Sequence, residues 1–458
     1  MDKVAHTEAS AREPAEESEK RRVPQAPRSL EETGISREFL LELTLRIARS
    51  TTQFTTEWLT ERICLPNRLV HDLVESHRAE NTLAVVGQSG NFGLVLEITQ
   101  RGRESSNESM KTTGYAGPAP VPLNAYVESI EQQVARLPKV ASKRVVEAVR
   151  ELVLPDESVQ IAGLASFSAR SLFLHGPPGN GKTTLGELLH RAFEGELWIP
   201  HCIGIGNSVI RIFDPECHES TGTPGNGTPR SASEKKRTHD IDRRWTPIRR
   251  PFIVAGGELT IEALDLSYHD GLGYYEAPLH LKANAGTFLI DDFGHQRVDH
   301  QELLNRWIHP LESGVDFMTL KTGQKFPVPF RPMLIISTNL DPDKVMDPAF
   351  LRRMGYKIHM GNPTAEQFEE IFRRYAKLEE ITVPQGLISS LLGRYAAENR
   401  PLRGCEARDL IERAKDICNY REHPVQLTED IMSLAWRGYF GGGASLSMPK
   451  ERRDTAGF

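Results

Sequence analysis

The run Gly176-Pro-Pro-Gly-Asn-Gly-Lys-Thr-Thr184 fits the phosphate-cradling pattern G-x-x-x-x-G-K-[ST] at every specified position. Glycines at 176, 179 and 181 allow a tight turn whose N–H groups point inward, an anion nest set ahead of a helix N-terminus. Gly176, Pro177, Pro178, Gly179, Asn180, Gly181, Lys182, Thr183 and Thr184 are therefore the expected nucleotide-binding residues. Lys182 would meet the β- and γ-phosphates of ATP, and Thr183 would hold Mg²⁺. The flanks agree. Ser171-Leu-Phe-Leu-His175 reads as a short buried strand entering the loop, and Leu185 to Phe193 as an apolar-striped helix leaving it. A chance Gly-rich turn would carry neither flank.

A phosphate cradle does not say what happens to the nucleotide, so the next requirement is an acidic strand that can hold metal and water. Gly286-Thr-Phe-Leu-Ile-Asp-Asp-Phe293 supplies one, an apolar run ending in two carboxylates, as a Walker B strand does. Asp291 would contact the Mg²⁺ shell, and Asp292 would orient or deprotonate the attacking water. A strand that simply ends in an acidic turn is the alternative.

With these two segments in place the chain resembles the AAA+ ATPases from about Leu123 to Arg437. Met333-Leu-Ile-Ile-Ser-Thr-Asn339 looks like the family's sensor-1 strand, whose terminal Asn339 would bridge the γ-phosphate and the water. Asp347-Pro-Ala-Phe-Leu-Arg-Arg-Met354 looks like its arginine-finger segment, so Arg353 or its neighbour Arg352 would reach the next subunit's site. Arg400-Pro-Leu-Arg-Gly-Cys-Glu-Ala-Arg-Asp409 opens a helix where the family places a sensor-2 arginine, with Arg408 the first candidate and Arg403 the second. Taken singly, an Arg-Arg pair at a helix end or an Asn after a strand is an ordinary surface or turn feature. Their order along the chain is what raises them.

Two passages narrow the resemblance to the MoxR-type and enhancer-binding branch of bacterial ATPases. Ala283-Asn-Ala-Gly-Thr-Phe-Leu-Ile-Asp-Asp292 is similar to its acidic-strand passage. Val315 to Pro329, alternating about Thr322-Gly-Gln324, reads as a hairpin like the family's pre-sensor insertion. The resemblance implies an α/β parallel P-loop sheet with an all-α lid, hydrolysis between subunits of a ring, most often a hexamer, and chaperone-like remodelling of a protein client. The departure is Asp292, where most relatives carry Glu. A side chain one methylene shorter draws the carboxylate back, and ångström-scale misplacement costs about a hundredfold in rate. Turnover is expected, and slow turnover with it.

The 458 residues are 39% hydrophobic and 26% charged, with a net charge of -6, ordinary for a cytoplasmic globular chain of several domains. That charge gives no general drive toward nucleic acid or anionic membrane, and no run approaches a membrane span. Five cysteines without a CxxC pair argue against a disulfide framework or a standard zinc module. His201-Cys202 and Cys217-His218 are too widely spaced for a familiar metal set.

Residues 1–34 lack aromatic content and read as a disordered tail. Residues 35–104 read as a winged-helix-like domain, with helices at Arg37 to Ala48, Thr55 to Ile63 and Pro66 to Arg78, then strands at Leu83 to Val86 and Phe92 to Ile98 around Gly87-Gln-Ser-Gly-Asn91. Between Ser36 and Glu104 eight basic residues face nine acidic ones, and the third helix sets Arg68 and His71 against Asp72 and Glu75. Protein docking is therefore favoured over DNA binding, with a DNA-bound regulator that uses ATP as a switch as the alternative. Residues 105–124 read as a linker stiffened by Pro118-Ala-Pro-Val-Pro122. Residues 125–362 form the nucleotide-binding unit, 363–437 the helical lid and 438–458 a flexible tail. A loop from His218 to Pro251 holds eight bases against four acids and reads as a solvated insertion or a surface for an acidic partner.

Overall fold

A computed structural model describes residues 23–89, 93–222, 240–342 and 347–441. Its centre is a five-stranded, wholly parallel sheet in the order Phe252–Ala255, Thr287–Ile290, Met333–Thr338, Leu172–His175, Tyr356–His359. Numbered in chain order, the strands lie 5-1-4-3-2, so the first, which leads into the phosphate loop, sits between the fourth and the fifth. Thr287–Ile290 and Met333–Thr338 are buried along their whole length, which is why they read as continuous apolar runs rather than alternating ones. Helices cover the sheet from both sides: Phe288 packs with Trp307 of helix His300–Ser313, and Leu289 with Leu185 and Leu189 of helix Lys182–Arg191. The α/β P-loop sheet expected from the sequence is the fold of this region.

The all-α lid follows. Helix Ala365–Leu378 begins at a Thr364/Gln367 capping box, and helices Leu387–Ala397, Gly404–Tyr420 and Glu429–Phe440 close a core of Phe368, Phe372, Tyr395 and Trp436. The last helix runs past 437, because Tyr439 and Phe440 pack against that core. The expected tail is therefore shorter than 438–458, and residues 442–458 lie outside the described ones.

Ahead of the sheet, helices Arg37–Ala48, Thr56–Ile63 and Asn67–Ala79 pack on an antiparallel sheet ordered Gln53–Thr55, Gly93–Ile98, Leu83–Ser89. Part of the glycine-centred turn between the last two strands, 90–92, lies outside the described residues. Two boundaries are corrected. Residues 23–34 are packed rather than disordered: Leu30 is buried in the core, Thr33 is fully buried, and Ala26 N donates to Asp240 O at 2.9 Å. Residues 1–22 lie outside the described ones. The linker expected at 105–124 begins instead as helix Gln100–Thr112, capped by Thr99 and buried along Gly102, Ser106 and Ser109. Its remainder is held too, since Tyr115 and Ala119 join the N-terminal core and Val121–Pro122 pairs with strand Cys202–Ile205.

That strand belongs to a second, mixed sheet ordered Ser267–His269, Tyr274–Glu276, Ser208–Arg211, Cys202–Ile205, Val121–Pro122, so a single core runs from the N-terminal helices through Cys202 and Val209. The hairpin expected before the fourth parallel strand forms from Val315–Thr319 and Lys325–Pro329. The basic loop is also corrected in part. Arg244 is buried, paired with Asp242 at 2.8 Å and donating to Thr33 O at 2.9 Å and Pro120 O at 3.2 Å. Arg250 donates to Ala285 O at 2.7 Å and lies 4.1 Å over the Phe193 ring. Trp245–Arg249 is a strand paired with Glu196–Pro200. These cations brace the fold, whereas Arg230, Lys235, Lys236 and Arg237 lie outside the described residues. Among the described residues no helix is long and apolar enough to cross a membrane.

Candidate functional site

The phosphate loop leaves the end of strand Leu172–His175 through three glycines with positive φ: Gly176 at 137°, Gly179 at 82° and Gly181 at 84°. A Cβ on Gly176 would stand 2.3 Å from Met360 O, so this turn both needs the conformation and leaves no room for a side chain. Gly181 is the N-cap of helix Lys182–Arg191, whose free N–H groups therefore face the loop.

The loop floors a cleft of about 1120 Å³. Pro178, Gly179, Asn180, Gly181, Lys182, Thr183 and Thr184 line it, opposite Asp291, Asp292 and Asn339, with Arg408 on the lid side. Strand order brings these together: Asp291 and Asp292 directly follow the third strand and Asn339 the fourth, beside the first strand, at the carboxyl edge where parallel α/β sheets hold ligands. Gly176 and Pro177 lie beneath, and their carbonyls each accept from Lys182 Nζ at 2.9 Å. Burial pushes the Lys182 pKa down, while Asp292 and Asp291 pull it back up.

Thr183 Oγ1 donates to Asp291 Oδ2 at 2.8 Å, and Ser337 Oγ donates to Asp291 Oδ1. The Asp291 carboxylate is thus fixed between two hydroxyls. A hydroxyl and a carboxylate oxygen in contact, close to the loop's amides, are hard donors that fit Mg²⁺, which usually keeps waters and nucleotide oxygens as its remaining ligands. Among the described residues no group of three or more His, Cys, Asp or Glu side chains forms a metal cage. Cys202 instead lies 3.1 Å from Tyr115 Oη, and His218 Nε2 donates to Lys282 O at 2.9 Å. Asn339 Nδ2 donates to Asp292 Oδ1 at 2.6 Å, so the two residues expected to flank the attacking water are in direct contact.

The arginines divide. Arg408 borders the cleft with an exposed guanidinium paired to Asp409 at 3.0 Å, whereas Arg403 is the N-cap residue of that helix and does not line the cleft. Arg352 and Arg353 are outside the cleft. Arg353 is bound by Glu312 and by Ala349 O at 2.7 Å, and Arg352 is exposed at the end of helix Pro348–Leu351.

Several residues here escaped sequence reading. Ser337 is the polar break near the end of an apolar strand, a signal visible in Met333-Leu-Ile-Ile-Ser-Thr once its neighbour strand is known. Asn180 staples the loop to the lid: its Oδ1 accepts from Gly404 N at 3.0 Å and its Nδ2 donates to Asn362 Oδ1 at 3.0 Å, while Cys405 N donates to Gly179 O at 2.8 Å. At the other end of the cleft, Arg374 of the lid donates to the carbonyl of Arg150 at 2.7 Å. Gln296 contacts the acidic turn. Nothing in the linear sequence marks these contacts: those of Asn180 and Arg374 join segments far apart in the chain, and that of Gln296 depends on the shape of a turn.

Compared with known proteins, residues 364–438 match a family model described as a domain of unknown function (DUF8689), which is the lid. No curated protein matches. Solved structures similar to the chain include the Thermotoga maritima RuvB Holliday junction branch migration motor, at 14% identity and TM-score 0.33, covering 70% of this chain and 72% of that one. NtrX from Brucella abortus in complex with ATP is similar at 13% identity and TM-score 0.38, covering 63% of this chain and 59% of NtrX.

Proposed function

We propose that this chain is an ATP-binding and ATP-hydrolysing protein of the AAA+ type. The observation that carries the reading is the meeting of Lys182, Thr183, Asp291, Asp292 and Asn339 in one cleft at the carboxyl edge of a 5-1-4-3-2 parallel sheet. Lys182 and the loop amides bind the β- and γ-phosphates. Thr183 and Asp291 hold Mg²⁺, which when bound neutralises phosphate charge. Asp292 accepts a proton from the attacking water or orients it, and Asn339 holds the Asp292 carboxylate and reaches the γ-phosphate. Arg408 acts from the lid as the sensor-2 cation.

In this reading 125–362 is the nucleotide-binding unit and 363–437 the lid, and Arg352 or Arg353 completes the site of a neighbouring subunit in a homo-oligomeric ring, a hexamer by family habit. Arg352 is the better candidate, because Arg353 is already engaged by Glu312 and Ala349. The pre-sensor hairpin supports the MoxR-like branch, and ATP turnover in the ring remodels a protein client in the cytoplasm. The N-terminal helices with their three-stranded sheet act as a winged helix that docks protein. Its third helix is ill suited to phosphates: Arg78 pairs with Glu75 at 2.6 Å, and Arg68 donates to Arg28 O at 2.7 Å beside Asp72.

Steady-state phosphate release by the full chain beside Lys182→Ala tests the hydrolysis reading, and equal rates in the two would sink it. Duplex binding that weakens steeply with salt would favour the DNA-bound regulator instead. A monomer for Asp292→Asn in ATP would remove the ring.

A further inference from the structure

The chain turns sharply after the third parallel strand, and the turn carries a cost. Asp292 has φ +48°, in the left-handed region, which a residue with a Cβ holds only where its surroundings fix it there. Backbone bonds hold its two flanks, with Asp291 N donating to Ala255 O at 2.8 Å and Phe293 N to Ser337 O at 2.7 Å. Within the turn, His295 N donates to Asp292 O at 3.0 Å. Thr338 Oγ1 donates to Phe293 O at 2.6 Å, and three further backbone groups of the turn converge on one other side chain. Gln296 Nε2 lies 3.0 Å from Asp291 O, 3.3 Å from Asp292 O and 3.4 Å from Gly256 O, while its Oε1 accepts from Gly294 N at 2.8 Å.

Only a primary amide can do this, donating through nitrogen and accepting through oxygen at once. A carboxylate at 296 would keep the bond from Gly294 N and lose all those to carbonyls. The carboxylate so aimed is the one that Asn339 meets at 2.6 Å.

We propose that Gln296 is a positioning residue for hydrolysis, acting through Asp292 by locking the left-handed turn that points its carboxylate into the cleft. The inference rests on the reading of Asp292 as the group that handles the attacking water. Gln296 does not line the cleft, so the expected effect of its loss falls on the rate and not on ATP affinity.

The test compares full-length wild type, Gln296→Met, which keeps the length without the amide, and Gln296→Ala. Since misplacement by about an ångström costs on the order of a hundredfold, both variants lower kcat by roughly 10- to 100-fold and leave ATP binding within about threefold. In an Asp292→Asn background the same changes alter the residual rate by less than about twofold, because the residue they act through is already disabled. Hydrogen exchange reads the turn directly, and the Gly294 amide exchanges faster in both variants. Unchanged kcat, a loss of ATP affinity equal to the loss in rate, an equal penalty in the Asp292→Asn background, or unchanged exchange at Gly294 overturns the inference. Failure of hydrolysis as a whole is distinct, since wild type would then release phosphate no faster than Lys182→Ala.

Discussion

Gly179→Ala separates two demands that the phosphate loop makes at one position. The backbone there has φ +82°, and a Cβ would stand 2.6 Å from Cys405 Sγ, with the Cys405 and Arg403 Cβ atoms at ordinary distances of 3.7 and 3.8 Å. The left-handed conformation costs an alanine roughly 1–2 kcal/mol, and forcing a methyl against the thiol costs about 1–3 kcal/mol more, as overpacking does. The Cys405 side chain has only one torsion with which to yield, and its backbone is held by Gly179 O at 2.8 Å. The free loop relaxes this strain and must recover the conformation on binding, so the sum of about 2–5 kcal/mol predicts at least a 30-fold weaker complex at 1.4 kcal/mol per tenfold. A fluorescent-nucleotide titration reads it. Adding Cys405→Ala removes the sulfur but not the φ strain, so it should recover about fivefold or more and leave a residue of similar size. Binding of Gly179→Ala within about threefold of wild type refutes the reasoning. No recovery in the double variant would mean that the lid does not sit against the loop when nucleotide is bound.

Three further outcomes follow. Arg352→Ala should lower hydrolysis by roughly a thousandfold or more, and mixing it with Lys182→Ala should restore part of the rate, because each supplies what the other lacks; no restoration argues against a site shared between subunits. Arg353→Ala, which breaks the Glu312 contact, should lower thermal stability more than activity, and a thousandfold rate loss at unchanged melting would exchange the two roles. Stability should fall with acid through His77, whose buried ring donates to Leu41 O and is held down to a pKa of about 4 by burial. A depressed folded-state pKa means stability present above pH of about 6.5 and lost as pH falls toward 4, about 2.5 kcal/mol by pH 4.5. Denaturant unfolding at pH 7.5 and 4.5 should therefore show a smaller pH loss for His77→Gln, and an unchanged loss would exclude this origin.

The sheet edge that carries the candidate site was legible because its signals are local. A glycine pattern that demands positive φ, and strands buried on both faces, leave their mark in a few consecutive residues. The hairpin at Val315–Pro329 was legible for the same reason, as Asp316, Met318, Phe326 and Val328 turn inward in alternation. The misreadings have a common cause. Helix Gln100–Thr112 buries Gly102, Ser106 and Ser109, a helical stripe of small residues instead of apolar ones, and a Cβ on Gly102 would lie 2.1 Å from Thr82 O. Packing there depends on close approach, which composition scores as linker. The segment at 23–34 is held by one buried leucine and by Arg244 from a distant loop. Arg244 and Arg250 looked like solvent charges until their acceptors, carbonyls and an aspartate, were in place. The contacts Asn180–Gly404 and Arg374–Arg150 each pair residues 224 positions apart, beyond the reach of any periodicity.

Single-turnover cleavage of ATP by wild type and Asp292→Asn bears most directly on the account, because it isolates the step assigned to the Asp292–Asn339 pair from binding and release. The prediction is equal ATP affinity with cleavage slowed about a hundredfold or more in the variant. Bound ATP cleaved at the wild-type rate by Asp292→Asn would contradict it.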